Sequence, residues 1–257
     1  MSTELYDDRY YAEMRAGGDG GFYERIVDVA GLDFAGRTVL DVGCGRGEMI
    51  RLAVRRGAAR VVGVDASAVA LEIAGRNLDA WGVDPHSYEL ICAGVENLET
   101  HVRDRFDRVL MIDFVEHVPP AVLADALRTV RRLLTPDGRL LVHTFPNRHL
   151  HNALCWLLGM IRPRQRERIE RIHVNVQTAA SLAAALRASG YDDCRVQVEN
   201  DLIFASSFYQ GMAGGALKRL ARLLMYDLFQ VRPVDRLVRL TRLDRLVYMS
   251  IYGVARA

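Results

Sequence analysis

Apolar and polar positions follow two different periods along this chain. Short continuous apolar runs, bounded by glycine, aspartate or proline, have the pattern of strands buried in a parallel sheet. The segments between them carry apolar residues every three or four positions, as amphipathic helices do. The pattern predicts an alternating α/β chain. Predicted strands cover residues 38–42, 60–64, 89–92, 106–112, 139–144, 194–199 and 247–257, and predicted helices cover residues 19–30, 47–56, 68–81, 120–134 and 179–189.

The first predicted strand runs into the stretch Asp41-Val42-Gly43-Cys44-Gly45-Arg46-Gly47. An acid and three alternating glycines between a strand and a helix indicate the tight turn of a nucleotide-binding βα unit. Glycine allows positive φ and close approach of a ligand, and the N–H groups at a helix start can hold its negative end. A dinucleotide fingerprint would place its third small residue at position 48, which is Glu48 here.

This spacing resembles motif I of the class I S-adenosylmethionine-dependent methyltransferases. A second resemblance lies after the fourth strand, where Glu116-His117-Val118-Pro119 is typical of the members that act on small molecules. The resemblance covers residues 37–190. It implies an α/β fold with a Rossmann-like, doubly wound sheet of seven strands whose last strand is antiparallel, and it implies S-adenosylmethionine as the cofactor.

Cofactor contacts follow from the ends of the predicted strands. Asp65 ends the second strand, where a βαβ unit places an acid for the ribose hydroxyls. The family often has an Asp for the adenine amine four residues before Leu98, but this chain has Gly94. Glu96 or the backbone at Val95 is the substitute. The predicted cofactor-binding residues are Asp41, Gly43, Cys44, Gly45, Gly47, Asp65, Ala66, Val95, Glu96, Ile112 and Asp113.

Catalytic groups are expected just after the fourth strand. Asp113, Glu116 and His117 share one face if the segment makes a helical turn. Methyl transfer from a sulfonium is mainly a matter of alignment, but an oxygen or nitrogen acceptor also requires loss of a proton. Glu116, His117 and the later His173 are therefore the predicted catalytic residues. The histidines at positions 143, 149 and 151 lie near the end of the fifth strand and are candidates to line the acceptor pocket.

A metal is an open alternative for the same three residues. In the ubiquinone-pathway O-methyltransferases and small-RNA 2′-O-methyltransferases, a similar acid-x-x-Glu-His cluster and a later histidine hold a divalent ion. The resemblance implies that Glu116, His117 and His173 could hold Mg²⁺, which would lower the pKa of the acceptor hydroxyl. Related enzymes without metal keep Glu-His for hydrogen bonding, so both interpretations stay open.

Composition narrows the class of protein. Half of the residues are hydrophobic, 26% are charged and the formal net charge is +2, so no overall basic field favours nucleic acid. The four scattered cysteines form no C-x-x-C pair and indicate reduced cytosolic thiols. The N-terminus is polar and acidic, and the longest apolar run is far shorter than a membrane span. We expect a cytoplasmic protein.

Residues 1–257 are predicted to form one domain with two helical insertions, 148–172 and 204–245, that cover the acceptor side. Their apolar faces suit an apolar pocket, and the arginine–leucine pairs allow peripheral membrane contact through 208–245. Packing of the two insertions on each other is the alternative. Three tyrosines of the N-terminal segment, Tyr6, Tyr10 and Tyr11, are candidates to fold over the cofactor.

The sequence thus predicts methyl transfer from S-adenosylmethionine to a small, apolar organic acceptor, with oxygen as the first choice of atom. Three alternatives remain: a membrane-surface enzyme acting on a lipid or quinone, an RNA 2′-O-methyltransferase, and a non-catalytic cofactor-binding partner. The arginines have few aromatic neighbours for base stacking, which argues against RNA. The acceptor and the oligomeric state are not determined by the sequence.

Overall fold

A computed structural model describes residues 21–145, 147–161, 163–200 and 230–256. In these residues the strands are β1 (Thr38–Val42), β2 (Arg60–Asp65), β3 (Tyr88–Cys92), β4 (Phe106–Ile112), β5 (Leu134–Thr144), β6 (Cys194–Glu199) and β7 (Ser250–Arg256). The helices are α1 (Phe22–Ala30), α2 (Glu48–Arg55), α3 (Ala68–Ala80), α4 (Leu98–His101), α5 (Pro120–Leu133), α6 (Arg148–Ile161), α7 (Pro163–Ile172), α8 (Ala179–Ala188), α9 (Arg232–Leu240) and α10 (Asp244–Val247).

The strands form a single seven-stranded sheet in the order β3-β2-β1-β4-β5-β7-β6. β1 to β5 are parallel to their neighbours, and β7 lies between β5 and β6, antiparallel to both. The strand order therefore reverses between β1 and β4. In open α/β sheets the ligand crevice lies at such a reversal, beyond the carboxyl ends of the strands. The predicted Rossmann-like fold with an antiparallel last strand is confirmed.

The central strands are buried on both faces. In β1, Val39 packs in the cluster that contains Ile26 of α1 and Ile50 of α2, whereas Leu40 packs in the cluster that contains Leu127 of α5. Successive side chains of a strand point to opposite faces, so one continuous apolar run serves both layers of helices. Packing on both faces holds the central strands in place, and with them the edge of the sheet at which β1, β2 and β4 end.

β5 begins earlier than the sequence pattern predicts. The turn Thr135–Gly138 was expected to precede the strand, but Leu134 already pairs with Phe106 of β4, and the register shifts before Arg139 pairs with Arg108. The extra residues form a bulge. A Cβ on Gly138 would lie 2.8 Å from the carbonyl oxygen of Thr135 and 2.9 Å from that of Phe106, so the bulge closes tightly on a residue without a side chain.

The first predicted insertion consists of the helices α6 and α7, and the described end of the second contains α9 and α10. Residues 204–229 of the second insertion and the tyrosines at positions 6, 10 and 11 lie outside the described residues. The role of the insertions as a cap over the acceptor stays a prediction. Within the described ranges, every helix is too short or too polar to cross a bilayer.

Candidate active site

The turn between β1 and α2 places its backbone against the loop that follows β4. Gly43, Gly45 and Gly47 have φ values of 79°, 51° and 87°, which residues with a side chain rarely adopt. A Cβ on Gly43 would come within 2.7 Å of the Phe114 ring. Glycine is therefore required at position 43 for conformation and for space, and the turn presents bare backbone to the crevice.

Asp41 lies beneath this turn with 2% of its surface exposed. Its Oδ2 atom is buried without a hydrogen-bond partner among the described residues. Burial, followed by the negative charges of Asp65 and Glu48, raises the pKa of Asp41 to about 8. A buried acceptor with no donor is costly unless a ligand supplies one, and the ammonium group of a nucleoside-linked amino acid is a donor of the required charge.

Asp65, at the end of β2, ties two backbone segments together. Its Oδ2 accepts a hydrogen bond from the N–H of Gly45 at 3.0 Å, and its Oδ1 accepts from the N–H of Ser67 at 2.9 Å. Burial raises the pKa of Asp65, while hydrogen bonds from Ser67, Gly45 and Ala66 oppose that shift. Each carboxylate oxygen can accept more than one hydrogen bond, so this arrangement remains compatible with ribose hydroxyls. The ribose contact of Asp65 stays a prediction.

The segment after β3 explains the departure at Gly94. A Cβ on Gly94 would lie 2.7 Å from the Glu96 carboxylate, so Glu96 fills the space that a side chain at position 94 would take. This placement fits the interpretation of Glu96 as the substitute for the adenine-binding acid. Val95 and Ile112 are buried with 8% exposure each, and Cys44 is buried beside Gly63 of β2.

Asp113, the first residue after β4, adopts the left-handed region with φ of 50°. Its N–H donates to the carbonyl oxygen of His143 at 2.9 Å, and its Oδ1 lies 2.6 Å from Nδ1 of His143. The pair joins the end of β4 to β5. His143 lies in β5, within the predicted strand 139–144, and it is fully buried. Its role as a residue lining the acceptor pocket stays a prediction.

Tyr23 of α1 is a site residue that the sequence interpretation missed. Its pKa is raised well above the ordinary value, first by burial and then by the charges of Glu48 and Asp113, with a smaller contribution from Asp41. Tyr23 also packs against the apolar cluster that contains Cys44 of the glycine turn and Ile112 at the end of β4, so it lies next to the crevice. An aromatic residue at the start of a predicted helix gives no sequence signal for this position.

Glu116 is buried under the turn that follows β4. Thr144 Oγ1 donates to its Oε2 at 2.9 Å, and the N–H of Phe145 donates to its Oε1 at 3.4 Å. Burial and the charge of Asp113 raise its pKa well above the ordinary value. With 1% of its surface exposed, Glu116 fastens this turn to the end of β5, and its predicted catalytic role stays a prediction.

His117 sits beside Glu116 with a defined tautomer. Its Nδ1 lies 3.0 Å from the carbonyl oxygen of Ile172. A carbonyl only accepts, so Nδ1 carries the proton and Nε2 carries the lone pair. Burial lowers the pKa of His117 despite opposing contributions from Ile172 and Asp113. The side chain is thus kept in the neutral form that accepts a proton at neutral pH.

His173 is brought close to His117, as the sequence predicted. Their ring centroids are 5.2 Å apart, and those of His151 and His173 are 5.8 Å apart. Burial, followed by the charges of His117 and His151, lowers the pKa of His173 to about 3. Its Nδ1 is buried without a hydrogen-bond partner among the described residues.

The magnesium interpretation of Glu116, His117 and His173 is not supported. Glu116 is occupied by Thr144 and Phe145, and Nδ1 of His117 faces a carbonyl. In the part of the chain that the structure describes, no three His, Cys, Asp or Glu side chains are arranged to hold a metal ion. The physical reason is that Glu116, the one acid of the three, already accepts hydrogen bonds from the end of β5 and the residue after it.

Comparison with known proteins agrees with this geometry. A family model described as a methyltransferase domain matches residues 12–196. The chain therefore belongs to the methyltransferase domain family, and its fold is that of the S-adenosylmethionine-dependent members. The orphaned oxygen of Asp41 and the bare turn at Gly43 fit this cofactor.

Curated relatives share a narrower name. The "Ubiquinone biosynthesis O-methyltransferase" of Neisseria meningitidis serogroup A is 37% identical over 123 residues, which are 46% of this chain and 50% of that protein. The protein of the same name from Idiomarina loihiensis is 34% identical over 149 residues, 55% of this chain and 52% of that protein. The chain thus spans about half the length of the curated relatives that it matches.

Solved structures show the fold over nearly the whole chain. Magnesium protoporphyrin IX methyltransferase from Synechocystis PCC 6803, with bound S-adenosylhomocysteine, superimposes with a TM-score of 0.63 at 15% identity, covering 99% of this chain and 97% of that one. A methyltransferase from Archaeoglobus fulgidus gives 0.61 at 18% identity, covering 98% of this chain and all of that one. At these identities the similarity concerns the fold alone.

Proposed function

We propose that this protein transfers a methyl group from S-adenosylmethionine to an oxygen of a small, apolar phenol or catechol. The name shared by the curated relatives supports oxygen as the accepting atom. The observation that carries the proposal is the state of His117. Its Nδ1 donates to Ile172, and burial lowers its pKa, so the neutral ring carries its lone pair on Nε2, the atom that would receive the proton of an acceptor hydroxyl.

When bound, the cofactor supplies an electrophilic methyl group on its sulfonium. Asp41 holds the cofactor ammonium, Asp65 the ribose hydroxyls and Glu96 the adenine amine. His117 would take the proton of the acceptor hydroxyl at Nε2. The acceptor would lie on the side of the α6 and α7 helices, where alignment with the methyl group is the main requirement.

The test is transfer of labelled methyl from S-adenosylmethionine to a panel containing an alkyl catechol, an aromatic amine and a short RNA, each with and without a chelator. We expect methylation of the catechol alone, unaffected by the chelator. Labelled RNA would favour the nucleic-acid alternative. Cofactor binding without transfer to any member would favour the non-catalytic alternative. Loss of activity in the presence of the chelator would support the metal-dependent mechanism.

His117→Asn tests the proton acceptor in the same assay. The amide nitrogen of Asn can still donate to Ile172, so local structure is kept while the base is removed. We expect kcat to fall about 10²–10⁴-fold with little change in cofactor affinity. Because burial lowers the pKa of His117, the rate of the unaltered enzyme should stay constant to lower pH than an ordinary histidine allows. Unchanged kcat in the variant would remove His117 from the mechanism.

We also propose that the protein contacts an anionic lipid surface through α9, α10 and the turn between them. Four leucines here are exposed, with Leu240 at 73% the most exposed of them. Three exposed arginines lie on the same elements, and no ion pair joins these arginines to an acid in the described residues. This Leu–Arg face consists of Leu237, Leu240, Leu243, Leu246, Arg236, Arg242 and Arg245.

The opposite side of α9 is already used by the protein. Val238 is buried in the core, and Arg239 pairs with Asp235 and Glu199. The Leu–Arg face is therefore additional to the packing surface, and its mixture of apolar and cationic groups suits a lipid headgroup region. Such a location would also give access to an apolar acceptor dissolved in the membrane.

Co-sedimentation with vesicles tests this contact. We expect binding to vesicles containing phosphatidylglycerol, weaker binding to pure phosphatidylcholine, and loss of binding in Leu240→Gln/Leu243→Gln. The matched variant Leu240→Met/Leu243→Met keeps the apolar surface and should still bind. Equal sedimentation of all three proteins, or a dimer that depends on these leucines in the absence of lipid, would contradict a lipid-binding role.

A further inference from the structure

Asp113 is held in an unfavourable backbone conformation at the mouth of the crevice. Its φ of 50° is one of two positive values among the described non-glycine residues. Such a conformation persists where surrounding contacts impose it, and it is frequent at ligand sites. Here the contacts come from one residue: His143 binds the backbone N–H of Asp113 through its carbonyl oxygen and the carboxylate through Nδ1.

His143 is itself rigidly placed. Its side chain is fully buried, and its ring packs edge-on against Tyr252 of β7 and Phe22 of α1, with centroids 4.9 and 5.6 Å away. A carboxylate oxygen only accepts, so Nδ1 donates to Asp113. Nε2 is buried without a hydrogen-bond partner among the described residues. The ring therefore has one polar contact there, and that contact aims the carboxylate of Asp113.

The carboxylate of Asp113, by contrast, remains accessible: 34% of its side chain is exposed. It follows β4, beside the turn where Phe114 packs on Gly43, and its charge reaches Tyr23 together with those of Glu48 and Asp41. Arg46 pairs with Glu48 at 3.4 Å, whereas Asp113 contacts the His143 ring and no arginine among the described residues. Asp113 thus presents an accessible carboxylate at the end of β4, one residue before the Phe114 ring that lies against the glycine turn.

We propose that Asp113, positioned by His143, recognises the positive charge of the cofactor sulfonium and makes the site prefer S-adenosylmethionine to S-adenosylhomocysteine. The inference rests on the proposed function, since it needs this cofactor. The two compounds differ by one methyl group and one positive charge. A nearby carboxylate in a partly buried site stabilises that charge and loses the attraction when the methyl group leaves, so the same contact favours substrate binding and product release.

The test measures the ratio of the dissociation constants of the two compounds by calorimetry, and it needs no acceptor. We expect Asp113→Asn to reduce the preference for S-adenosylmethionine on the order of tenfold, about 1.4 kcal/mol, with little change for S-adenosylhomocysteine. Asn tolerates the left-handed region, so the backbone can be kept. An analogue with an ammonium group in place of the sulfonium should lose affinity in Asp113→Asn as S-adenosylmethionine does. This result would show that the variant affects recognition of the positive charge and not of the sulfur atom.

Two variants of His143 test the positioning role. His143→Leu fills the space but cannot donate, and it should lower the preference as Asp113→Asn does. His143→Asn carries an amide nitrogen near the position of Nδ1 and should retain most of the preference. Thermal unfolding of each variant establishes that it is folded before the ratio is compared.

The outcomes separate this inference from the proposed function. If Asp113→Asn weakened the binding of both compounds equally, the role of Asp113 in recognising the sulfonium would be overturned. If both His143 variants lowered the preference to the same extent, the positioning role of His143 would be overturned. In either case the proposed binding of the cofactor would be unaffected. If the unaltered protein bound neither compound, the proposed function would fail and the inference with it.

Discussion

At the scale of single residues, the candidate site is built from groups whose burial is unfavourable without a ligand. Asp41 shows this most clearly, because its Oδ2 is buried without a donor in the described residues and its pKa is raised to about 8. Charged groups are rarely buried unless they are paired. The stability lost by burying Asp41 is recovered when a cationic ligand binds. Replacement of the Asp41 carboxylate should therefore stabilise the free protein and weaken its affinity for the cofactor.

We predict that Asp41→Asn stabilises the free protein at alkaline pH. The folded state keeps a proton on Asp41 up to about pH 8, whereas the unfolded chain releases it near pH 4. The stability linked to this proton is full below pH 4 and is lost as the pH rises to about 8, at about 1.4 kcal/mol per pH unit.

Urea unfolding at pH 5 and pH 8 measures this effect. The variant should gain free energy of unfolding relative to the unaltered protein at pH 8 more than at pH 5, and it should bind S-adenosylmethionine more weakly. A variant that loses stability equally at both pH values would show that Asp41 is satisfied within the protein.

Gly43→Ala is a second prediction at this scale. The new Cβ would meet the Phe114 ring at 2.7 Å in a backbone with φ of 79°. We expect the free energy of unfolding to fall by about 1–3 kcal/mol, and we expect cofactor binding to be lost. Gly31→Ala is the matched control, because it also has positive φ but nothing within 4 Å. Calorimetry should show unchanged cofactor affinity in the control, and similar affinity in both variants would argue against the clash.

At the scale of elements, the site depends on contacts between the ends of strands and the loops beyond them. The turn after β4 is fastened to β5 by Glu116, and the N–H of Asn175 donates to the carbonyl oxygen of Glu116 at 3.0 Å. His117 is held by the carbonyl oxygen of Ile172, at the end of α7. One helical insertion therefore helps to place the candidate base, besides any role as a cap.

Thr144→Val tests this fastening. Valine has nearly the same shape but cannot donate to the buried carboxyl of Glu116, so we expect a loss of about 1–3 kcal/mol in urea unfolding. Thr241→Val removes the hydroxyl of an exposed threonine that donates to Leu237 and serves as the control, with a change near 0.5 kcal/mol or less. Equal losses of unfolding free energy in both variants would mean that the hydrogen bond between Thr144 and Glu116 makes no specific contribution to stability.

At the scale of the whole molecule, the described buried histidines give the fold a common response to acid. Burial lowers the pKa values of His117, His151 and His173, and that of His173 falls to about 3. The unfolded chain takes up these protons near pH 6.5. Stability is therefore complete above about pH 6.5 and is lost as the pH falls toward 3, opposite in direction to Asp41.

His173→Asn should flatten this response. Between pH 7 and pH 5 we expect the unaltered protein to lose about 2 kcal/mol through His173 alone, from about 1.4 kcal/mol per pH unit below pH 6.5. Urea unfolding at several pH values measures the slope, which should be shallower in the variant. His86→Asn, at an exposed position, is the control. An unchanged slope in His173→Asn would show that His173 is solvated in the native state.

The sequence by itself determined the sheet, the family and the crevice. The spacing from Asp41 to Gly47 and the acid at Asp65 are local features, and the carboxyl ends of parallel strands meet at one edge wherever the loops lead. The Rossmann-like sheet of seven strands with an antiparallel last strand was accessible through the resemblance, and the structure confirms it. These features depend on residues close together in the chain, which is why pattern and spacing reveal them.

The tertiary structure alone decided which polar groups satisfy one another. Asp113 contacts His143, 30 residues later in the sequence, and Glu116 contacts Thr144, 28 residues later. The sequence suggested a metal ligand at Glu116, but in the structure this acid accepts hydrogen bonds from the protein. Tyr23 enters the crevice because α1 packs against the sheet, and its own neighbours give no sign of it. Burial and partnership are properties of packed surfaces, and a one-dimensional pattern fixes neither of them.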